Sequence, residues 1–422
     1  MIKKIKALTI DNGGSELRVK PILEDNRVLY MPESALDGRT NPVSMLPMFS
    51  QTDADIDGLD QIIKCPGPFY EVDGTNFREK EVTNKFHIIN VLSAPNREYI
   101  GYYGVGQTAQ MYSGREVEMT SQAKKTETDA FYQRFIFGMA LGLISDKEYT
   151  GIETGWSADD PDHADMLNTE IQLVICTNIP IKEYAGDQDL PTKVKNQLAG
   201  SYVVEFPLLE GKPVLRFKVS TDYFGILPEG GVVISSLKDV IGKDEYSLLI
   251  DLGHITGDYA IYHGKDLEGS YVKSSSRAGS TLLTRIQAAL TDAGYMCNVE
   301  LALQALNEGT IPNGKTSVDV SDIITKAKAD FVTNCMKPDL TELFNGTGIV
   351  PKQIANIIPI GASMCRNART GYMPYEIQKV LNIPGAEIIT VGENARYANI
   401  NSAYPFSKLL LKKAVRQQTT QE

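Results

Sequence analysis

Leu8-Thr9-Ile10-Asp11-Asn12-Gly13-Gly14-Ser15-Glu16-Leu17-Arg18-Val19-Lys20 and Leu248-Leu249-Ile250-Asp251-Leu252-Gly253-His254-Ile255-Thr256-Gly257-Asp258-Tyr259-Ala260-Ile261-Tyr262 follow one plan. In each, an apolar strand closes on an aspartate, a turn of small residues follows, and a second strand returns. Asn and Gly accept positive φ at low cost, so such a turn between apolar runs reads as a hairpin. The aspartate can hold a hydrated cation, since Mg²⁺ gives up its water shell reluctantly. The turn offers backbone N–H groups and the hydroxyls of Ser15 and Thr256, a combination suited to phosphate. One Asp-Asn-Gly is commonplace in plain β-turns. Two matching hairpins, with Asp11 and Asp251 opening two halves of the chain, point instead to paired phosphate loops. No GxxxxGK[ST] segment is present, so a P-loop is not the device.

The chain has 422 residues, 42% of them apolar and 23% charged. That is too long for one ordinary core and typical of a folded chain of two or three domains. A formal net charge of −11 argues against coating nucleic acid directly, because such binding neutralises phosphates with Lys and Arg. Cys65, Cys176, Cys297, Cys335 and Cys365 are scattered and make no CxxC spacing, which predicts free thiols rather than a zinc site or disulfide framework. The histidines show no metal spacing. No run of 18 apolar residues exists, and the opening Met1–Ile10 stretch lacks a signal-peptide core, so no membrane contact and a cytoplasmic location are expected.

Between the hairpins, residues 40–75 read as an irregular surface excursion with the acidic stretch Asp53–Asp57. The spacing of Phe131, Phe135 and Met139 predicts a helix over 128–144. An Asp-rich loop over 158–165 follows, then a strand at 171–177, apolar enough to be buried on both faces. Strands are predicted at 201–206 and 214–219 around the Glu210-Gly211-Lys212 turn. After the second hairpin come a turn at 263–265 with a further strand, a helix over 281–292 ended near Gly294, and more helix over 318–334. A short strand at 357–360 and a basic helix at 406–416 complete the reading, the latter expected to dock with its charged face in solvent.

In order along the chain, these segments resemble the actin, Hsp70 and sugar-kinase superfamily, and within it the ParM-type bacterial actins that segregate plasmids. Ile10–Arg18 looks like the first phosphate loop, with Arg18 where the family usually has lysine. Leu249–Asp258 looks like the second, commonly DLGGxTxD, with His254 replacing a glycine. Ile358-Pro359-Ile360-Gly361-Ala362-Ser363 resembles the adenosine motif, and Ser274–Thr284, with Gly279 and Ser280, the turn beside ribose and base. Cys176–Pro180 with Tyr184, and Asn196–Tyr202, resemble segments of the ParM branch. Leu227-Pro228-Glu229-Gly230-Gly231 and Ala395–Ser402 resemble the two hinge segments.

The resemblance implies an α/β chain with the actin-like fold: two related RNase H-like domains with a nucleotide cleft between them. The expected division is 1–240 plus 395–422 against 241–394. It implies an ATPase using ATP/ADP and Mg²⁺, with Asp11 and Asp251 holding the metal through water. Glu229 is expected to position the attacking water, the alternative being a solvated hinge residue. Nucleotide contacts are expected from Asn12, Gly13, Gly14, Ser15, Arg18, Gly253, His254, Ile255, Thr256, Gly279, Ser280, Gly361, Ala362 and Ser363. His254 is either a donor near phosphate or a ring turned to solvent. The implied function is a nucleotide-dependent filament of this chain with itself. It would segregate plasmid DNA through a DNA-binding adaptor on a centromere-like site, without direct nucleic-acid contact. The alternative is a small-molecule kinase, sugar or acid, on the same fold, although no convincing base toward a substrate hydroxyl stands out in the sequence.

Overall fold

The computed structural model describes residues 4–13, 16–22, 63–66, 69–74, 88–112, 115–116, 124–144, 170–208, 214–268, 271–364, 367, 369–391 and 395–419. The chain divides into two compact units. The first is Met1–Ile179, Gln188–Leu227 and Ala403–Glu422, and the second is Pro180–Asp187 and Pro228–Ser402. The crossings at 227/228 and 402/403 differ from the expected 240/241 and 394/395, and Pro180–Asp187 joins the second unit.

The first unit is built on ten strands: β1 (Lys4–Asn12), β2 (Glu16–Ile22), β3 (Ile63–Pro66), β4 (Phe69–Val72), β5 (Ile88–Ser93), β6 (Gly101–Val105), β7 (Arg115–Glu116), β8 (Glu170–Ile179), β9 (Gly200–Glu205) and β10 (Val214–Pro228). They lie in the order β3-β2-β1-β8-β10-β9-β5-β6-β4-β7. Strand β1 is antiparallel to β2 on one side and parallel to β8 on the other. Both faces of this centre are covered, and β8 is buried nearly throughout. On one face lies the helix Asp129–Ile144, buried from Ala130 to Leu143. Two glycines let it approach: a Cβ at Gly142 would sit 2.7 Å from Leu8 and one at Gly138 3.2 Å from Leu17. On the other face lies the helix Ala398–Thr419, where Tyr404 and Ala414 pack with Ala7, Ile22 and Val174. There Thr9 and Ser407 share a hydroxyl hydrogen bond of 2.6 Å.

The second unit repeats the centre of the first. Its strands are β11 (Tyr246–Leu252), β12 (Gly257–His263), β13 (Asp266–Leu267), β14 (Lys273–Ser275), β15 (Thr310–Asn313), β16 (Thr316–Asp319), β17 (Ile354–Ile360) and β18 (Glu387–Ile388). The main sheet runs β13-β12-β11-β17-β18, with β14 also on β12. Strand β11 is antiparallel to β12 and parallel to β17, as β1 is to β2 and β8. Helices Gly279–Asp292, Ser321–Phe331 and Lys337–Thr347 bury Leu282, Ile286, Ile324, Phe331, Leu340 and Leu343 in one core with Leu248 and Ile250.

Several expectations shift. Of 40–75, residues 63–66 and 69–72 are strands, while Asp53–Asp57, the 158–165 loop and the 210–212 turn lie outside the described residues. The helix expected over 318–334 begins at Ser321, after the β15–β16 hairpin. It passes a π turn at Val332–Met336 into Lys337–Thr347, with Pro338 at the junction. The final helix starts eight residues before the expected 406, with Pro405 inside it. No described helix is long and apolar enough to cross a membrane.

Candidate functional site

The register makes the two loops equivalent residue by residue. Asp11 pairs with Arg18 and Asn12 with Leu17; Asp251 pairs with Asp258 and Leu252 with Gly257. Gly13 therefore matches Gly253, and Glu16 matches Thr256. A backbone carbonyl crowds the glycine at the head of each loop. A Cβ on Gly13 would lie 2.9 Å from the Glu16 carbonyl oxygen, and one on Gly253 3.1 Å from that of Thr256. Thr256 thus stands at the place of Glu16, not that of Ser15.

In the first unit, Asp11 is buried at the end of β1, and Arg18 donates to it at 2.7 Å and to Glu16 at 2.6 Å. Burial opposes the guanidinium charge, but the Asp11 and Glu16 carboxylates outweigh it, so the Arg18 pKa is raised. Arg18 is thus held by two carboxylates, a partnership the sequence reading did not include. Asn12 points to the opposite face and donates to the Phe131 carbonyl at 2.9 Å, pinning the loop to the helix beneath. Arg134 of that helix donates to the Gly13 carbonyl at 2.7 Å, and Thr177 of β8 to that of Ile10 at 2.7 Å. Gly14 and Ser15 lie outside the described residues.

In the second unit most of the remaining candidates converge. Gly279 N donates to the Gly253 carbonyl at 2.9 Å and Ser280 N to that of His254 at 2.8 Å, so the helix start at 279 is seated on the loop. A Cβ at Gly279 would lie 2.6 Å from Ser363 Oγ and 2.8 Å from the Gly253 carbonyl oxygen, which brings Ser363 into the same group. Gly361, after β17, has φ +93°, and a Cβ there would lie 2.4 Å from the Leu252 carbonyl oxygen and 3.1 Å from Asp251 Oδ1. Asn399 donates to Asp251 Oδ2 at 3.0 Å and accepts from Gly230 N at 2.9 Å. One amide therefore ties the Glu229-Gly230 turn to the strand-end carboxylate. The turn itself packs on β11, since a Cβ at Gly230 would lie 2.2 Å from Leu249. The His254 and Thr256 side chains are exposed and Ile255 is partly buried; nothing is described of the Ala362 side chain.

Behind this loop lies a polar layer. Asp258 accepts from Ser274, buried Asp339 from Arg277, and Lys273 meets Glu342 at 2.5 Å. Burial, then the Asp339 and Asp258 carboxylates, push the Tyr259 hydroxyl up, so it stays protonated. The contributors absent from the sequence reading are Glu16, Arg134 and Asn399. Glu16 and Asn399 lie inside the Ile10–Arg18 and Ala395–Ser402 segments, whereas Arg134 left no signal.

No group of three or more His, Cys, Asp or Glu suited to direct metal ligation occurs among the described residues. The residues do suit a cation that keeps its waters. Glycine at 361 keeps a Cβ from crowding Asp251 Oδ1, while Asn399 fixes the other oxygen.

No family model matches the sequence, and no curated protein matches it. Solved structures do match over nearly the whole chain. The actin-like protein Alp7A is 13% identical with TM-score 0.62, covering 99% of each chain. The apo ParM of pSK41 is 12% identical with TM-score 0.59, covering 97% of this chain and 99% of that one. Bacillus thuringiensis ParM with ATP is 12% identical with TM-score 0.58, covering 96% and 99%. The chain has the actin-like α/β fold that these proteins share.

Proposed function

We propose that this chain is an actin-like ATPase that assembles with itself into nucleotide-dependent filaments and segregates plasmid DNA through a basic, DNA-binding adaptor. The observation that carries the reading is the pair of register-equivalent loops, each with a strand-end aspartate and, two positions on, a glycine that a backbone carbonyl crowds. The fold supports it, as does the nucleotide bound in B. thuringiensis ParM. In this reading Gly13–Ser15 and Gly253–Thr256 hold phosphate through backbone N–H groups, and Gly279, Ser280 and Gly361–Ser363 hold the nucleoside. Asp11 and Asp251 hold hydrated Mg²⁺, which supplies charge neutralisation to the phosphates. Glu229 orients the water, its turn anchored through Gly230 to Asn399 and so to Asp251. Phosphoryl transfer needs mainly this positioning.

The adaptor follows from charge, because a chain of net −11 is poorly suited to hold DNA itself. Titration calorimetry with ATP and Mg²⁺, paired with a phosphate-release assay, tests the ATPase. Binding followed by release supports it, whereas phosphorylation of a sugar or acid would replace it with the kinase.

A further inference from the structure

Asn178, near the end of β8, is wholly buried, and neither its Nδ2 nor its Oδ1 finds a hydrogen-bond partner among the described residues. A buried amide left this way is costly, and native chains retain few of them. Its place on the sheet gives it a use. On β1 and β8 the residues facing the final helix are Ala7, Thr9, Val174 and Cys176, fixed by the Thr9–Ser407 bond and by the packing of Ala7 and Val174 on Tyr404 and Ala414. Alternation continues that face to Asp11 on β1 and to Asn178 on β8. Ile10 lies opposite Thr177, so the next step in the register sets Asn178 beside Asp11 on the adjacent strand, roughly 4.8 Å away between backbones.

The second unit solves the same problem differently. Asp251 has apolar Ile360 opposite it on β17 and receives its amide from Asn399 instead. Asp251 thus has a carboxamide bonded to one oxygen, while Asp11 has Arg18 on Oδ2 and the Asn178 carboxamide beside it in the register.

We infer that Asn178 is a positioning residue for the hydrated divalent cation at Asp11, its amide ordering a metal-bound water. This rests on the proposed nucleotide site. The test is calorimetric titration of ATP with Mg²⁺, and of ATP with EDTA, into the wild type, Asn178→Ala and Asn178→Ser, with urea unfolding of each ligand-free protein. The alanine variant should bind Mg·ATP at least about tenfold more weakly, bind ATP in EDTA as the wild type does, and unfold at the same or a higher urea midpoint. Serine, which keeps a donor and an acceptor, should retain more Mg·ATP affinity than alanine. A lowered urea midpoint with an unchanged ratio of Mg·ATP to metal-free affinity would make Asn178 structural and overturn the inference. A wild type that binds no Mg·ATP at all would overturn the function reading, and this inference with it.

Discussion

Asp251 and Glu229 sit at the two ends of one short relay through Asn399 and Gly230, and their roles separate by substitution. Asp251→Ala removes the carboxylate and should abolish Mg²⁺-dependent ATP affinity in calorimetry; unchanged binding and turnover would remove it from the site. Glu229→Ala should leave ATP affinity within a few-fold and lower steady-state turnover by roughly 10²-fold, the usual scale for a positioned base. Turnover at the wild-type rate would assign the water to another group. Cys176 offers an independent check of the sheet face. Burial pushes its thiol up to about 12, so at pH 8 only about one in 10⁴ is thiolate. Iodoacetamide at pH 8 should spare Cys176 in the native protein and alkylate it after urea, as peptide mass spectrometry would read. Rapid native labelling would contradict the packing of the final helix on β8.

The hairpin is the element whose grammar was plain. Asp-Asn-Gly-Gly and Asp-Leu-Gly-His after apolar runs announce turn and carboxylate together, and the structure pairs the flanking strands and sets Asp11 and Asp251 near their ends as expected. What lay hidden has physical causes. The strands at 63–66 and 69–72 are short and take their stability from neighbours distant in sequence, which leaves no local period to read. The break between 331 and 337 is a π turn, invisible to a 3.6-residue pattern that stays apolar through it. The Arg18 pair with Asp11 depends on register, which spacing alone does not fix. Gly361 tests the second loop as an element. With φ +93° and a carbonyl 2.4 Å from any Cβ, Gly361→Ala should cost at least ~2 kcal/mol in urea unfolding. Gly385→Ala, with nothing within 4 Å, should be near neutral. Equal effects would contradict the loop geometry. Glu245, before β11, accepts from Asn356 and from Gly242 N, and these bonds hold its pKa below the usual value. A depressed carboxylate stabilises above its unfolded pKa, near 4.3, and loses that contribution as pH falls through the lower folded value. Glu245→Gln should therefore be less stable than the wild type at pH 7, with the gap closing below about pH 4.

For the molecule as a whole, the proposed function requires that nucleotide control assembly. Nucleotide can do so only if its ATP and ADP forms differ in affinity for the filament end. A tenfold difference in critical concentration needs only ~1.4 kcal/mol, within reach of a few repacked contacts. A net charge of −11 opposes direct contact with DNA, so under the proposed function assembly should not require it. Sedimentation at micromolar protein, without DNA and with electron microscopy of the pellet, measures this directly. Filaments should pellet with ATP or a slowly hydrolysed analogue and far less with ADP, and Asp251→Ala should remain in the supernatant. A wild type that stays monomeric with ATP at every concentration would contradict the proposed function.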